Sequence, residues 1–278
     1  MIRTKLDKIS NKKYKNIFFG KFWYIILAFI LAFSLRVFIV EPFQIPSSSM
    51  VPTLLIGDHI FVSKLSYGII NPLSKIKPFI IKWSTPKIGE IVVFDAPEYL
   101  KYKKNESWIK RVIAVPGQTI SIKDSIVHVD GNPYPHINKN KIITYINSSL
   151  TSFGSILKEE QAVRITEHIS QINHNILFNP LYSNCNIRGN WPLNNKVVYP
   201  GLKCEDNKCK ILDNYLFVMG DNRGNSADSR FWGALPINMI KAKAIFVWMN
   251  VDSSKKLFKI KQFIFPNFRF KRWFSWII

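Results

Sequence analysis

The sequence predicts a mainly β protein, in which a β-rich domain with an inserted second lobe follows one transmembrane helix. Three observations lead to this prediction. Beyond residue 40, short apolar or alternating runs recur between Gly, Pro, Asn and Asp residues, a spacing typical of strands separated by turns. A single long apolar stretch precedes these runs, and an Asn-rich polar segment with weak periodicity interrupts them.

The apolar stretch, residues 22–40, has close to the roughly 20 residues that a membrane-spanning helix requires. Trp23 and Tyr24 stand at its start, where amphipathic rings favour the membrane interface. Residues 1–21 are strongly basic, and such segments stay on the cytoplasmic side of membranes. We therefore predict a basic cytoplasmic segment over 1–21, a transmembrane anchor over 22–40, and export of all later residues.

Two other interpretations of the apolar stretch are less well supported. The run is longer than that of a usual cleavable signal peptide, and no clear cleavage site with small residues follows it. A buried core helix fits poorly with the basic flank. The anchor therefore remains the preferred interpretation.

The formal net charge of +21 raises the question of nucleic-acid binding. The basic residues are mostly lysines scattered through Asn- and Ile-rich sequence, and the densest cluster directly precedes the apolar stretch. We therefore expect no nucleic-acid partner. Attraction to anionic lipid fits better, because each Lys or Arg near such a surface contributes ~1 kcal/mol.

The strand-like runs predict the domain boundaries. We place a β-rich core over residues 41–135 and 201–256. Residues 136–200 form the inserted lobe, with some helical character near 156–168. Residues 257–278 are a basic aromatic tail, which either adds a last strand to the body or lies against the membrane interface.

The chain has three cysteines, Cys185, Cys204 and Cys209. A disulfide between the last two would close a hairpin in an oxidising compartment, and two unpaired thiols are an equally good interpretation. A structural zinc site would need a second pair of ligands. We predict no metal and no organic cofactor, and we assign no partner to Cys185.

The polar residues that suggest chemistry lie in three places. Ser47-Ser48-Ser49 stand between two prolines after the predicted anchor, Lys110 lies in the run WIKRVIAVPG, and a dense polar loop occupies 219–233. Strand alternation places Lys110 among bulky apolar neighbours, and burial lowers a lysine pKa from its reference of about 10.4. A lysine that is neutral near pH 7 can act as a general base toward a serine.

Four segments, PSSSMVPTLLIGD, GEIVVF, WIKRVIAVPG and GDNRGNSADSRFWG, follow one another behind the apolar stretch. They resemble the conserved boxes of bacterial type I signal peptidase (leader peptidase), a serine–lysine dyad family. The resemblance covers about residues 41–68, 89–117 and 215–250. It implies a membrane-bound serine endopeptidase that cleaves N-terminal signal peptides from exported preproteins after small residues, in the pattern Ala-x-Ala.

The resemblance implies roles for individual residues. Ser49 matches the nucleophile and Lys110 the general base, while the Ser47 hydroxyl and the Ser49 backbone N–H match the oxyanion hole. Ser226 matches the serine that hydrogen-bonds and orients the lysine. The supporting charges of the same loop match Asp228, Arg230, Asp221 and Arg223. The shallow apolar substrate pockets match Phe43, Ile45, Met50, Leu54, Ile60, Val93, Trp108 and Ile109.

The chain departs from the family pattern at two positions. Ser48 stands where a small Gly- or Ala-like residue is usual, and we expect this hydroxyl to be tolerated. Gly224 replaces the acid of the usual GDNRDNS, which removes one supporting carboxylate but no catalytic group.

The expected partners are preprotein signal peptides, membrane lipid and the export machinery. The expected location is the cytoplasmic (inner) membrane, with a single pass, a cytoplasmic N-terminus and the catalytic domain on the periplasmic side. Three rival functions fit less well. A Ser-His-Asp hydrolase lacks its G-x-S-x-G elbow here, and a self-cleaving repressor needs a DNA-binding head in place of the membrane span. A membrane-tethered binding protein would not need all of Ser49, Lys110, Ser47 and Ser226.

Overall fold

The computed structural model describes residues 22–31, 33–34, 39–70, 79–96, 106–151, 154–178, 191–192, 198–252, 258–260, 263–265 and 267–277. Strands dominate these residues, which confirms the mainly β prediction. Residues 22–31 and 33–34 are helical. Within the described part of the chain, no helix combines the length and apolar character needed to cross a membrane. The predicted basic segment 1–21 and Cys185 lie outside the described residues.

The structure contains twenty strands in chain order. They are β1 (Val40–Gln44), β2 (Asp58–Ser63), β3 (Gly68–Ile70), β4 (Phe79–Lys82), β5 (Ile91–Asp95), β6 (Ser107–Ala114), β7 (Thr119–Lys123), β8 (Ile126–Val129), β9 (Asn132–Pro133), β10 (His136–Thr151), β11 (Gly154–Ile169), β12 (Ile172–Phe178), β13 (Leu202–Glu205), β14 (Lys208–Ile211), β15 (Tyr215–Met219), β16 (Leu235–Pro236), β17 (Ile240–Asn250), β18 (Phe258–Ile260), β19 (Phe263–Phe265) and β20 (Ser275–Trp276). A four-residue α-helix spans Ser229–Trp232, and short 3₁₀ helices span Ile237–Met239 and Phe270–Arg272.

The main sheet has the order β1-β2-β17-β5-β6-β15-β16, and β20 also pairs with β17. Its strands alternate between two apolar faces. Val93 and Ile109 contribute to a buried cluster on one face, whereas Val92 and Phe94 belong to a cluster on the other. Each such side chain contributes about 1.5–3 kcal/mol on full burial, so both faces hold the sheet in the body of the protein. This sheet carries β6 and the loop between β1 and β2.

A five-stranded sheet, β13-β14-β7-β8-β9, forms a second layer of the core. Cys204 and Cys209 lie directly opposite each other in the β13–β14 hairpin and form a disulfide. Of the two interpretations left open by the sequence, the structure therefore has the disulfide.

The inserted lobe is a three-stranded antiparallel sheet, β10-β11-β12. The helical character predicted near 156–168 is wrong, because β11 runs through these residues and pairs on both sides. The segment KEEQ contains good helix formers. The following AVRITEHI alternates buried and more exposed residues, and its pairing with two strands overrides the local preference.

The tail adds strands to the structure. Strands β18 and β19 pair with each other, and Ser275 and Trp276 in β20 pair with Val247 and Phe246. Arg272 binds the buried Asp58 carboxylate through two hydrogen bonds, Nε to Oδ1 at 3.0 Å and Nη2 to Oδ2 at 2.6 Å. For the residues around β20, the interpretation as a last strand is therefore correct.

Candidate active site

Two residues singled out by the sequence meet in space. Ser49 lies in the loop between β1 and β2, and Lys110 stands on β6. The Lys110 Nζ donates to Ser49 Oγ at 2.8 Å and to the Ile109 carbonyl at 3.0 Å. A serine hydroxyl in direct contact with a lysine amine is the arrangement of an activated nucleophile and its base.

Lys110 is buried, with 5% of its surface exposed. Its Nζ lies 5.9 Å from the centre of the Trp108 ring. Burial lowers the pKa of Lys110 from 10.5 to about 8, although the charges of Asp228 and Asp221 act in the opposite direction. A group with this pKa is neutral in about one molecule in ten at pH 7, so it can accept a proton there.

The hydroxyl of Ser47 lies beside the nucleophile, with its Oγ 3.4 Å from Ser49 Oγ. Ser226 does not form the hydrogen bond to Lys110 that the resemblance implies. Its hydroxyl is buried and has no hydrogen-bond partner among the residues that the structure describes. The Lys110 amine instead directs its hydrogen bonds to Ser49 and to the adjacent Ile109 carbonyl.

The polar loop after β15 is held by two buried ion pairs. Asp228 accepts from Arg230 Nε and Nη2, both at 2.8 Å, and from the Gly220 backbone at 3.0 Å. Asp221 accepts from Arg111 Nε at 2.9 Å and Nη2 at 2.8 Å. Burial disfavours both carboxylates, but the facing guanidinium groups outweigh this effect and lower the pKa of each. The loop is thereby fixed as a charged frame beside Lys110.

Gly220 brings this frame into close contact with the nucleophile. A Cβ at this position would lie 2.3 Å from Ser226 Oγ and 2.5 Å from the Ser49 carbonyl oxygen. The Asn222 backbone N–H also donates to the Ser49 carbonyl at 3.0 Å. Only glycine leaves enough room for the two loops to approach this closely.

The inserted lobe reaches the same frame. Glu167 on β11 pairs with Arg223, whose Nη1 donates to Oε1 at 2.7 Å and whose Nη2 donates to Oε2. Neither side chain is more than 1% exposed. The imidazole of His174 on β12 lies 3.4 Å from the same carboxylate. Burial opposes the charge of Glu167, yet Arg223 and its other partners lower its pKa to about 2.

Seven of the eight predicted pocket residues come together around one apolar cluster. Trp108 is the exception, since it packs with Val112 on the other face of the sheet. Met50, Leu54 and Ile60 are fully buried, so they support the pocket from below. The other members of the cluster from the predicted set are Phe43, Ile45, Val93 and Ile109.

Several contributors to this site were not predicted from the sequence. Arg111 is adjacent to Lys110, and its strand position on the opposite face from the lysine was the available signal for a different role. Glu167 lies in the insertion, where no local pattern singles it out. Gly220 opens the polar loop, and its need for close approach becomes visible only when both loops are in place.

Comparison with known proteins agrees with this geometry. A family model described as signal peptidase, peptidase S26, matches residues 19–249. Signal peptidase I of Buchnera aphidicola subsp. Schizaphis graminum is 35% identical over 270 residues, which cover 89% of this chain and 79% of that protein. Signal peptidase I of Buchnera aphidicola subsp. Acyrthosiphon pisum is 34% identical over 272 residues, with 91% and 81% covered. Signal peptidase I of Pseudomonas aeruginosa is 32% identical over 261 residues, with 90% and 78% covered.

The match to the family model extends over far more than half of the chain, and the relatives align along most of their own length. The protein is accordingly a hydrolase of the serine peptidase class. The chain belongs to the family of bacterial type I signal peptidases, peptidase S26.

Proposed function

We propose that this protein is a membrane-bound serine endopeptidase that removes signal peptides from exported preproteins, with Ser49 as nucleophile and Lys110 as general base. The observation that carries the proposal is the 2.8 Å hydrogen bond between Lys110 Nζ and Ser49 Oγ. It joins a hydroxyl to a buried amine whose pKa is lowered to about 8. Such an amine takes a proton far more readily at neutral pH than an exposed lysine does.

The proposed reaction has two stages. Ser49 Oγ attacks the scissile carbonyl while neutral Lys110 takes the hydroxyl proton and then gives it to the departing amine. Lys110 next takes a proton from water, which attacks the acyl ester and releases Ser49. The Ser47 hydroxyl and the Ser49 backbone N–H stabilise the oxyanion, and such a donor contributes about 3 kcal/mol to transition-state binding.

The proposed substrate is a preprotein with small residues at the cleavage site, in the pattern Ala-x-Ala. The apolar cluster beside the Ser49 loop supports this proposal, because Phe43 is partly exposed above the buried Ile45 and Met50. A shallow apolar surface of this kind favours small side chains over bulky or charged ones. The signal peptide is the proposed partner, together with membrane lipid and the export machinery.

The proposed location is the cytoplasmic membrane, with residues 22–40 as a single anchor and the catalytic domain on the periplasmic side. The Cys204–Cys209 disulfide supports the periplasmic side, because disulfides persist in oxidising compartments. The basic residues before the apolar stretch support a cytoplasmic N-terminus.

The test is cleavage of a preprotein with an Ala-x-Ala site by the detergent-solubilised full chain, followed by N-terminal sequencing of the product. We expect one cut after the second Ala, insensitive to metal chelators. Ser49→Ala, purified in parallel, is the control for contaminating peptidases. An inert wild-type protein, or equal cleavage by Ser49→Ala, would contradict the proposal and favour a membrane-tethered binding protein.

The pH dependence of cleavage reports on the base. We expect kcat/KM to rise with pH along a limb with an apparent pKa of about 8, because only neutral Lys110 accepts the Ser49 proton. The measurement is the rate on a peptide without titrating groups between about pH 6 and 10. A limb near ~6.5, the ordinary histidine value, would contradict the assignment of Lys110 as base.

Gly220→Ala tests the close contact between the two loops. We expect its Cβ to force Ser49 away from Lys110, lowering kcat and also lowering the free energy of unfolding by about 1–3 kcal/mol. Gly117→Ala is the matched control, since a Cβ there meets no atom within 4 Å although φ is +84°. We expect the control to lose some stability and no activity. Equal kcat values for Gly220→Ala and wild type would show that the contact is unimportant.

A further inference from the structure

We propose that Asn147, in the inserted lobe, is a positioning residue for the nucleophile loop, an inference that rests on the proposed role of Ser49. Asn147 and Ser48 are buried, with 4% and 3% of their surfaces exposed. The Ser48 hydroxyl donates to Asn147 Oδ1 at 2.5 Å. Asn147 therefore holds the residue directly before the nucleophile.

Asn225, in the polar loop after β15, completes a three-way junction. Its Nδ2 donates to Asn147 Oδ1 at 2.8 Å and to Ser48 Oγ at 3.2 Å. The junction joins three separate parts of the chain: the nucleophile loop, the loop of the charged frame, and the lobe. A fully satisfied buried network of this kind fixes the groups that it connects.

The Asn147 amide is held in one orientation from behind. Its Nδ2 donates to Glu160 Oε1 at 2.8 Å, and the Tyr145 hydroxyl donates to Glu160 Oε2 at 2.9 Å. The amide oxygen accordingly faces Ser48 and Asn225, where an acceptor is needed. Because β10 and β11 are paired here, the lobe presents this acceptor from a sheet rather than from a loop.

The lobe also supports the loop on the other side of Ser49. Val51 is buried against Tyr145, Ala162 and Leu177 of the lobe. The lobe thus contacts residues two positions after the nucleophile as well as the one before it. It touches neither Ser49 Oγ nor Lys110 Nζ in any described hydrogen bond, so its effect on the reaction is exerted through the position of the loop.

A small displacement of the loop has a large kinetic effect. Misplacement of a reacting group by ~1 Å lowers rates by up to ~100-fold. Ser48 occupies a position where the family usually has a residue without a hydroxyl, and in this chain the hydroxyl finds its acceptor in the lobe. The lobe is therefore part of the machinery that places Ser49 against Lys110.

The test measures kcat and KM for Asn147→Ala on the full chain, with the fraction folded taken from thermal melting. We expect kcat per folded molecule to fall about tenfold with KM within about twofold of wild type, since the loop moves but the apolar pocket remains. Asn175→Ala, which changes an exposed asparagine on β12 of the same lobe, is the matched control and should match wild type.

A rescue variant separates positioning from general support. Asn147→Asp keeps the acceptor but places a carboxylate against Glu160, so we expect low kcat. Adding Glu160→Gln returns a donor to that contact and should restore kcat to within about threefold of wild type. The inference is overturned if Asn147→Ala has wild-type kcat, if its loss of rate only follows its loss of folded protein, or if the paired change fails to rescue. Cleavage that survives Ser49→Ala would instead contradict the proposed function.

Discussion

Replacing Lys110 by Met is expected to lower kcat at least ~1,000-fold, because the variant has no group that can take the Ser49 proton. Met has a similar shape and no charge to bury, so the fold should be retained and the melting temperature should not fall. The measurement is preprotein cleavage under single-turnover conditions, beside thermal unfolding of each protein.

Two further variants show whether the base or the charge of Lys110 is needed. Lys110→Arg keeps the positive charge but remains protonated at all accessible pH values, so it should be as inactive as Lys110→Met. Lys123→Met, which removes an exposed lysine from β7, should cleave like wild type. An active Lys110→Arg variant would mean that a positive charge is sufficient and would contradict the general-base assignment.

Replacing Glu167 by Gln is expected to lower the free energy of unfolding by about 3–5 kcal/mol, because it leaves the buried Arg223 guanidinium without a counter-charge. The lobe and the charged frame meet through this pair, so cleavage should fall together with stability. Urea unfolding followed by tryptophan fluorescence measures the stability.

The matched control is Glu159→Gln, which changes an exposed glutamate on the same strand and should leave stability within about 0.5 kcal/mol of wild type. The double variant Glu167→Gln with Arg223→Gln removes both charges and should be less destabilised than the sum of the two single changes. Additive losses would show that Glu167 and Arg223 act independently, contrary to the structure.

The sequence predicted the core better than the insertion. In β2 and β6, apolar residues are spaced for burial in a sheet, and local pattern and tertiary environment agree. In β11 the KEEQ segment favours a helix, and only pairing with β10 and β12 makes it a strand. Alternation within a segment carries no information about which neighbours it will meet.

The same distinction applies to the candidate site. The positions of Ser49 and Lys110 were indicated by recurring motifs, and the structure places their side chains in contact. Glu167 and Asn147 were not predicted, because their importance depends on how the insertion docks on two distant loops. The burial of Ser226 without a partner was equally invisible, since a motif match specifies a residue type and not its rotamer.

The hydrogen bonds between Arg272 and Asp58 have a consequence for the timing of maturation. These residues are 214 positions apart, and Arg272 Nη2 also donates to the Thr53 carbonyl at 2.9 Å. Synthesis delivers the serine loop early, whereas the arginine that secures its far end arrives among the last residues. Contacts of such long range form late in folding. A nascent chain therefore carries its nucleophile in an unsecured loop, and full competence arises only after the tail has docked.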